Sequence, residues 1–150
     1  MRAVVASARV QATPERIYAV LADLREHWRL AGLWVDPLEL GTDGGLVRIH
    51  GPLGIRRTVR TRVVRLDPPE LLAGEAELGA TRAAVAWTLR AEGDTTRVTL
   101  RADVVTAGAR DRVLLALGGR AWMRAQFRAT LKRLAVQVES PHTVAAVPVG

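Results

Sequence analysis

Residues 81–106 read TRAAVAWTLRAEGDTTRVTLRADVVT. Apolar and polar side chains alternate on either side of Glu92-Gly93-Asp94, a sequence typical of a tight turn. This pattern predicts two antiparallel strands, at 81–91 and 95–106, in a sheet with one buried face and one solvated face. The buried face is predicted to carry the following side chains: Ala83, Val85, Trp87, Leu89, Val98, Leu100, Ala102 and Val104.

Similar turn signals extend from this hairpin toward the amino terminus. Clusters of Gly, Asp and Pro divide the chain into short segments at hairpin spacing. Because strands joined by short turns pair in an antiparallel sense, these segments predict one continuous sheet. Further strands are expected at 2–11, 35–41, 46–50, 55–66 and 70–78.

Three segments have the character of helices. Thr13-Pro14-Glu15 is typical of a helix start, and a short helix is expected to follow it. Asp23 can cap a second short helix, which Gly32 ends. Residues 109–138 contain no proline and are rich in Ala, Leu and Arg, which predicts a long helix with a weak point at Gly118-Gly119.

The length of 150 residues fits one domain, which we place at 1–139, followed by a loose tail at 140–150. With 49% hydrophobic and 25% charged residues, the composition is that of a globular protein and excludes intrinsic disorder. Cysteine is absent, which excludes disulfides, thiol nucleophiles and thiolate metal sites. Arg9 interrupts the first apolar stretch before a signal-peptide core forms, and no apolar run approaches the roughly 18 residues of a membrane span.

The 22 basic and 15 acidic side chains give a formal net charge of +7, whose excess lies in residues 55–65 and 109–150. Such charge fits a solvated arginine-rich surface, a site for an anionic ligand, or a basic helix that meets an acidic partner. No nucleic-acid-binding motif accompanies the charge, so no nucleic-acid partner is expected. We expect a cytoplasmic protein that is a monomer or a homodimer and has no membrane span.

The order of elements is β-α-α, then six strands, then α, which is an α+β architecture. Six consecutive antiparallel strands present one apolar face, and the long C-terminal helix is the element that can cover it. A strongly curved sheet around one helix often leaves an internal space, and apolar ligands bind in such spaces. The pattern therefore predicts a cavity between the sheet and the C-terminal helix.

Several short motifs follow one another in an order that is known from other proteins. They are Ala12-Thr13-Pro14-Glu15-Arg16-Ile17-Tyr18, Leu21-Ala22-Asp23, Trp28, Asp67-Pro68-Pro69, Trp87-Thr88-Leu89, Gly93-Asp94-Thr95-Thr96-Arg97-Val98, and a long helix with Trp122 and Phe127. Over roughly residues 3–138 the chain resembles the START-like, birch-pollen-allergen-like helix-grip superfamily (SRPBCC), in particular its bacterial polyketide cyclase/dehydrase and lipid-transport branch. The resemblance implies a curved antiparallel sheet of about seven strands that is wrapped around a long C-terminal helix, with a hydrophobic cavity between them.

Three tryptophans are candidates for the cavity wall. Trp87 lies in mid-strand on the apolar face, where it either packs as core or lines the cavity. Trp28 and Trp34 flank the segment between the short helices and the sheet, where they either line the cavity mouth or seal the core. The resemblance implies that Trp28 and Trp87 match a helical and a strand tryptophan of the family.

Four further candidates come from the long helix and from one strand. At 100° per residue, Met123, Phe127 and Arg120 fall within one arc of the helix, and an arginine there snorkels, pairs with an acid or contacts a ligand. On strand 55–66, burial of the three arginines of the even face would cost many kcal/mol, so the face with Arg57 is predicted to point inward. The resemblance implies that the cavity arginine of cyclases lies on this strand.

Groups for catalysis are few. His27, His50 and His142 lack metal-ligand spacing, and no Ser-His-Asp order stands out, so neither a metal nor a cofactor is expected. The resemblance favours binding of a hydrophobic small molecule, lipid-like or polyketide-like, by a non-catalytic carrier or binder. The alternative is a polyketide cyclase, aromatase or dehydrase acting in the same cavity as a lyase or isomerase without metal, with Arg57 and Arg120 as the best catalytic candidates.

Overall fold

The computed structural model describes residues 3–139, so the predicted tail at 140–150 and His142 lie outside the described residues. The elements follow the predicted order. The strands are β1 (Val4–Val10), β2 (Val35–Leu40), β3 (Gly44–His50), β4 (Arg56–Asp67), β5 (Leu71–Leu78), β6 (Thr81–Glu92) and β7 (Thr95–Thr106). The helices are α1 (Pro14–Ala22), α2 (Leu24–Ala31), α3 (Ala109–Leu114) and α4 (Arg120–Glu139), with 3-10 turns at Gly32–Trp34 and Pro52–Gly54.

The seven strands form one antiparallel sheet in the order β1-β7-β6-β5-β4-β3-β2. Strands β2 to β7 are a meander of hairpins, and β1 joins the sheet beside β7. In the β6–β7 hairpin, Trp87 lies opposite Leu100 on the inward face, as the alternation predicts. The sheet curves around the helical layer, so the predicted α+β helix-grip architecture is confirmed.

Strand β3 begins two residues earlier than expected, because Gly44 and Gly45 lie in the strand and not in the turn before it. A Gly-Gly pair is typical of a turn, yet both glycines pair with neighbouring strands. A Cβ at Gly44 would collide with the backbone of Thr61 on β4, and one at Gly45 would collide with the backbone of Glu39 on β2. Glycine therefore permits the close approach of three strands at this corner.

The long C-terminal helix is interrupted at the predicted weak point. Helix α3 passes into a π-type segment at Leu115–Gly119 before α4 begins. Gly118 adopts φ +117°, a conformation that L side chains rarely take, and Leu117 before it is also non-helical. The kink therefore divides the C-terminal helical region into two helices, α3 and α4.

Helix α4 covers only part of the apolar face of the sheet. It lies over β1 and against α2, while α1 and α2 cover the remaining strands. The expectation that the C-terminal helix alone covers the sheet is therefore corrected, since three helices share this role. The buried side chains of α4 are Phe127, Thr130, Leu131, Leu134 and Val138. Among the helices of residues 3–139, none combines the length and apolar character needed to cross a bilayer.

Candidate functional site

An apolar pocket of about 90 Å³ lies between α2 and the inward face of β3–β6, and we call it the α2 pocket. Helix α2 contributes Leu24, His27 and Trp28, whose spacing of three and four residues places them on one face. The sheet contributes the other lining residues, which are Gly44, Thr61, Arg62, Val63, Leu72, Gly74, Glu75, Ala76, Val85 and Trp87. Gly74 and Ala76 of β5 are small, and they leave a space that the aromatic rings of His27, Trp28 and Trp87 surround.

Contacts at both ends hold α2 over the sheet. At its start, the Asp23 carboxylate accepts a hydrogen bond from the Arg25 backbone N–H at 3.1 Å. At its end, the Arg133 guanidinium of α4 donates to the carbonyl oxygens of Leu30 at 3.1 Å and Ala31 at 3.0 Å. Gly32 follows with φ +68°, so the predicted helix end is confirmed. The pocket wall is thereby fixed to the main core.

His27 stands between two indole rings in the pocket wall. Its ring centroid lies 4.9 Å from that of Trp28 and 5.6 Å from that of Trp87, both in edge-to-face geometry. Its Nδ1 lies 3.1 Å from the carbonyl oxygen of Leu21. Burial lowers the pKa of His27 to about 4, although the hydrogen bond to Leu21 opposes this shift. The imidazole is therefore neutral at pH 7.

Two indole nitrogens are buried without a hydrogen-bond partner among the described residues, and they belong to Trp28 and Trp34. Trp34 does not line the α2 pocket. It packs edge-on against Trp122 at 5.6 Å, between the main core and the smaller cluster under β2–β4. An unpaired buried donor costs free energy, so each indole N–H is a position at which a bound acceptor would be stabilising.

The structure brings only Trp28 and Trp87, of the residues singled out from the sequence, into the α2 pocket. Phe127 is buried in the main core, and Met123 is half-buried against it. Arg120 is half-buried at the first position of α4. The pocket does not lie between the sheet and the C-terminal helix as expected, because the apolar side chains of α4 pack directly into the core there.

Arg57 points inward, as predicted, but it meets an acid instead of the pocket. Its Nη1 donates to Oδ1 of Asp111 at 2.6 Å, and the hydroxyl of Thr81 donates to the same carboxylate. The backbone N–H of Gly108 donates to Thr81 Oγ1 at 3.2 Å. We call Arg57, Thr81 and Asp111 the rim cluster, since they tie the start of α3 to the first residues of β4 and β6.

Asp111→Asn is expected to lower the free energy of unfolding at pH 7 by about 2 kcal/mol, because it leaves Arg57 half-buried without its counter-charge. The hydrogen bond from Arg57 is the main reason that the pKa of Asp111 lies below its ordinary value of 3.8. The stabilisation is therefore present above that value and is lost as the pH falls through the lowered pKa. Urea unfolding at pH 7 and at pH 3 measures both effects.

The matched control for this substitution is Asp103→Asn. Asp103 also pairs with an arginine, Arg101, at 2.7 Å, but on the solvated face of β7. Loss of that exposed pair is expected to change stability little. Equal effects of the two substitutions would contradict a structural role of the rim cluster.

Two residues that shape the site, His27 and Asp111, are not among the candidates predicted from the sequence. His27 has no metal-ligand spacing, but Leu24, His27 and Trp28 share a helical face, and that spacing is the sequence signal for its place in the pocket wall. Asp111 is one of two acids in the basic region 109–150, and the charge pattern alone does not show which arginine it meets. An acid placed among so many arginines indicates a specific partner.

Several arginines of the outer face of β4 and β6 lie beside acids. Arg62 pairs with Glu75 at 3.1 Å, and Arg82 pairs with Glu77 at 3.3 Å. This arrangement fits the solvated-surface interpretation of the charge. A groove of about 390 Å³ lies at the other end of the sheet, beside the start of α1, and none of the candidate residues lines it. Within residues 3–139, no three His, Asp or Glu side chains are grouped as a metal site.

Comparison with known proteins agrees with this fold. The family described as polyketide cyclase/dehydrase and lipid transport matches residues 1–139. No curated protein is significantly similar in sequence. Many solved structures share the fold.

Three of these structures illustrate the likeness. Protein Ms6760 from Mycobacterium smegmatis has a TM-score of 0.70 at 17% identity, over 93% of this chain and 92% of that chain. TTHA0849 from Thermus thermophilus has a TM-score of 0.68 at 20% identity, over 93% and 98% of the two chains. The Zhui aromatase/cyclase from Streptomyces sp. R1128 has a TM-score of 0.70 at 22% identity, over 92% and 93%.

At these sequence identities the solved structures establish the fold of the chain. The family model, which matches residues 1–139, establishes the family to which the chain belongs. The elements that build the α2 pocket and the rim cluster all fall inside the matched region. The chain therefore belongs to the polyketide cyclase/dehydrase and lipid transport family.

Proposed function

We propose that the protein binds a hydrophobic small molecule, lipid-like or polyketide-like, with the α2 pocket as the site of its apolar part. The observation that carries the proposal is an apolar pocket walled by three aromatic rings, those of His27, Trp28 and Trp87. Apolar walls with a few polar atoms are typical of small-molecule sites. The family description, which includes lipid transport, supports the same class of ligand.

The volume of the pocket limits what it can enclose. Pockets for drug-sized ligands usually measure about 300–1,000 Å³, whereas the α2 pocket measures about 90 Å³. In this conformation it therefore accepts one ring or the end of one chain. A larger ligand extends beyond the pocket, or α2 moves away from the sheet to admit it.

Ala76→Phe tests the pocket directly. Ala76 lies on the inward face of β5 and lines the pocket, so a phenyl ring there occupies the ligand space. Binding of toluene, followed by chemical-shift titration of the protein, is expected to weaken at least tenfold. Because the ring fills an existing cavity, the free energy of unfolding is expected to stay equal or to rise by about 0.5–2 kcal/mol.

Ala84→Phe is the matched control, because Ala84 lies exposed on the outward face of the neighbouring strand β6. It adds the same ring outside the pocket and is expected to leave toluene binding unchanged. Absence of toluene binding to the native protein, or equal binding by both variants, would refute the proposed site. Native mass spectrometry before and after denaturation would then identify any molecule that the purified protein carries.

A cyclase or dehydrase acting at the same site is the second candidate. It is favoured by the family description and by the likeness to the Zhui aromatase/cyclase. The pairing of Arg57 with Asp111 does not favour Arg57 as the group that polarises a substrate carbonyl, because the guanidinium is already occupied outside the pocket. Conversion of a polyketone substrate that Arg57→Ala or Arg120→Ala abolishes in a folded protein would support catalysis.

Four further properties are predicted for the protein. They are a cytoplasmic location, a single domain, a monomer or a homodimer, and a small-molecule partner in place of nucleic acid. Sedimentation of the purified protein measures the oligomeric state.

A further inference from the structure

One polar atom of the α2 pocket, Nε2 of His27, has no hydrogen bond within residues 3–139. Nδ1 of the same ring lies 3.1 Å from the carbonyl oxygen of Leu21. A carbonyl oxygen only accepts, so Nδ1 must carry the proton and donate. In the neutral ring, Nε2 then carries a lone pair and can only accept.

The lone pair of His27 remains accessible. The buried side-chain nitrogens and oxygens without a partner in the described region are Trp28 Nε1, Trp34 Nε1 and Glu92 Oε1, and His27 Nε2 is not among them. The geometry of imidazole directs Nε2 away from the carbonyl that Nδ1 contacts. His27 is half-buried, and its ring lines the pocket between Trp28 and Trp87, so the pocket is the side from which a ligand approaches the ring.

The other polar side chains around the pocket do not offer a free acceptor. The indole N–H of Trp28 is buried without a partner among the described residues, but it is a donor and cannot accept a hydrogen bond from a ligand hydroxyl. The hydroxyl of Thr61 donates to the carbonyl oxygen of Gly45 at 3.2 Å. The side chains of Arg62 and Glu75 lie on the outer face of the sheet, where they bind each other at 3.1 Å. These pairs leave His27 Nε2 as the acceptor that a ligand entering the apolar space encounters.

We propose that His27 Nε2 accepts a hydrogen bond from a hydroxyl group of the ligand, so that the ligand is a planar apolar molecule bearing a phenol or an enol. This inference rests on the proposed function, since it concerns the same pocket. A carbonyl or carboxylate oxygen placed at Nε2 would set acceptor against acceptor, and an ammonium donor would lose its hydration among apolar walls. The surrounding rings favour a flat partner, because they offer edges and faces for stacking.

The lowered pKa of His27 agrees with this role. A histidine with a pKa of about 4 stays unprotonated at pH 7 and keeps its acceptor. The hydrogen bond to Leu21 holds the ring in the orientation that exposes Nε2, so no reorganisation is needed when a ligand enters.

Phenol and toluene are the probes that test the inference, since they have similar size and differ by a hydroxyl in place of a methyl group. In the native protein labelled with ¹⁵N-histidine, the Nδ1–H tautomer is expected before addition of either probe. Phenol is expected to shift the Nε2 resonance upfield, as accepting a hydrogen bond does, and toluene is expected to leave it in place. This measurement requires no substitution.

His27→Phe supplies the second measurement. The variant keeps a ring between the two tryptophans but has no acceptor. The ratio of phenol affinity to toluene affinity is expected to fall about tenfold relative to the native protein, the size of one hydrogen bond. Retained toluene binding shows that the variant still has the pocket.

The outcomes separate the inference from the proposed function. If toluene and phenol bind the native protein but Nε2 does not respond to phenol, or if the affinity ratio is unchanged in His27→Phe, the hydroxyl anchor is overturned and the pocket stands. If His27 carries its proton on Nε2, the inference is also overturned. If neither probe binds the native protein, the proposed function fails and the inference fails with it.

Discussion

Leu134→Ala is expected to lower the free energy of unfolding by about 3–5 kcal/mol. Leu134 is fully buried on α4, in the cluster where this helix meets β1, β7 and α1. Truncation removes buried methyl groups and leaves a cavity that the sheet cannot collapse to fill, because its strands are fixed by their hydrogen bonds. Urea unfolding monitored by circular dichroism measures the loss.

Val136→Ala is the matched control for this prediction. Val136 lies two residues further along the same helix, with 68% of its surface exposed. Because its side chain faces solvent, its truncation is expected to change stability by less than about 0.5 kcal/mol. Similar losses for both variants would contradict the packing of α4 against the sheet.

The second large effect is a dependence of stability on pH that originates in His27. The folded protein lowers the pKa of this residue from 6.5 to about 4 by burial. Between these values the unfolded chain binds a proton that the folded protein does not, so stability rises with pH across this interval and is level above it. A shift of this size corresponds to about 3 kcal/mol between pH 4 and pH 7.

The contribution of His27 is isolated by comparison with His27→Phe. The difference in unfolding free energy between the two proteins cancels the titration of the other groups. Relative to the variant, the native protein is expected to lose stability as the pH falls from 6.5 to 4. The loss of stability caused by protonation of Asp111 occurs at lower pH, because the pKa of Asp111 lies below its ordinary value of 3.8. A difference that does not change with pH would show that His27 is protonated equally in the folded and unfolded states.

The strands were predictable because alternation is a local property of the chain. The hairpin expected at 81–91 and 95–106 is found at Thr81–Glu92 and Thr95–Thr106. The break in the C-terminal helix was also predictable, since a Gly-Gly pair weakens any helix. The early start of β3 was not, because the role of Gly44 depends on the approach of a neighbouring strand.

The site was less predictable than the fold, because it depends on how α2 and α3 dock on the sheet. The inward direction of Arg57 followed from the cost of burying the arginines on the opposite face. Its partner Asp111 lies 54 residues away in sequence, on another element, and no local pattern connects the two. His27 likewise meets Trp87 only through the tertiary position of α2.

Strand β2 forms one edge of the sheet, and its composition determines how the surface behaves toward other chains. Pro37 lacks a backbone N–H, a bulge separates it from Glu39, and the Asp36 and Glu39 side chains are exposed. Each of these features disfavours strand addition, the route by which open sheet edges aggregate or exchange strands. A second chain approaching this edge therefore finds an irregular backbone and negative charge instead of a template for continued pairing.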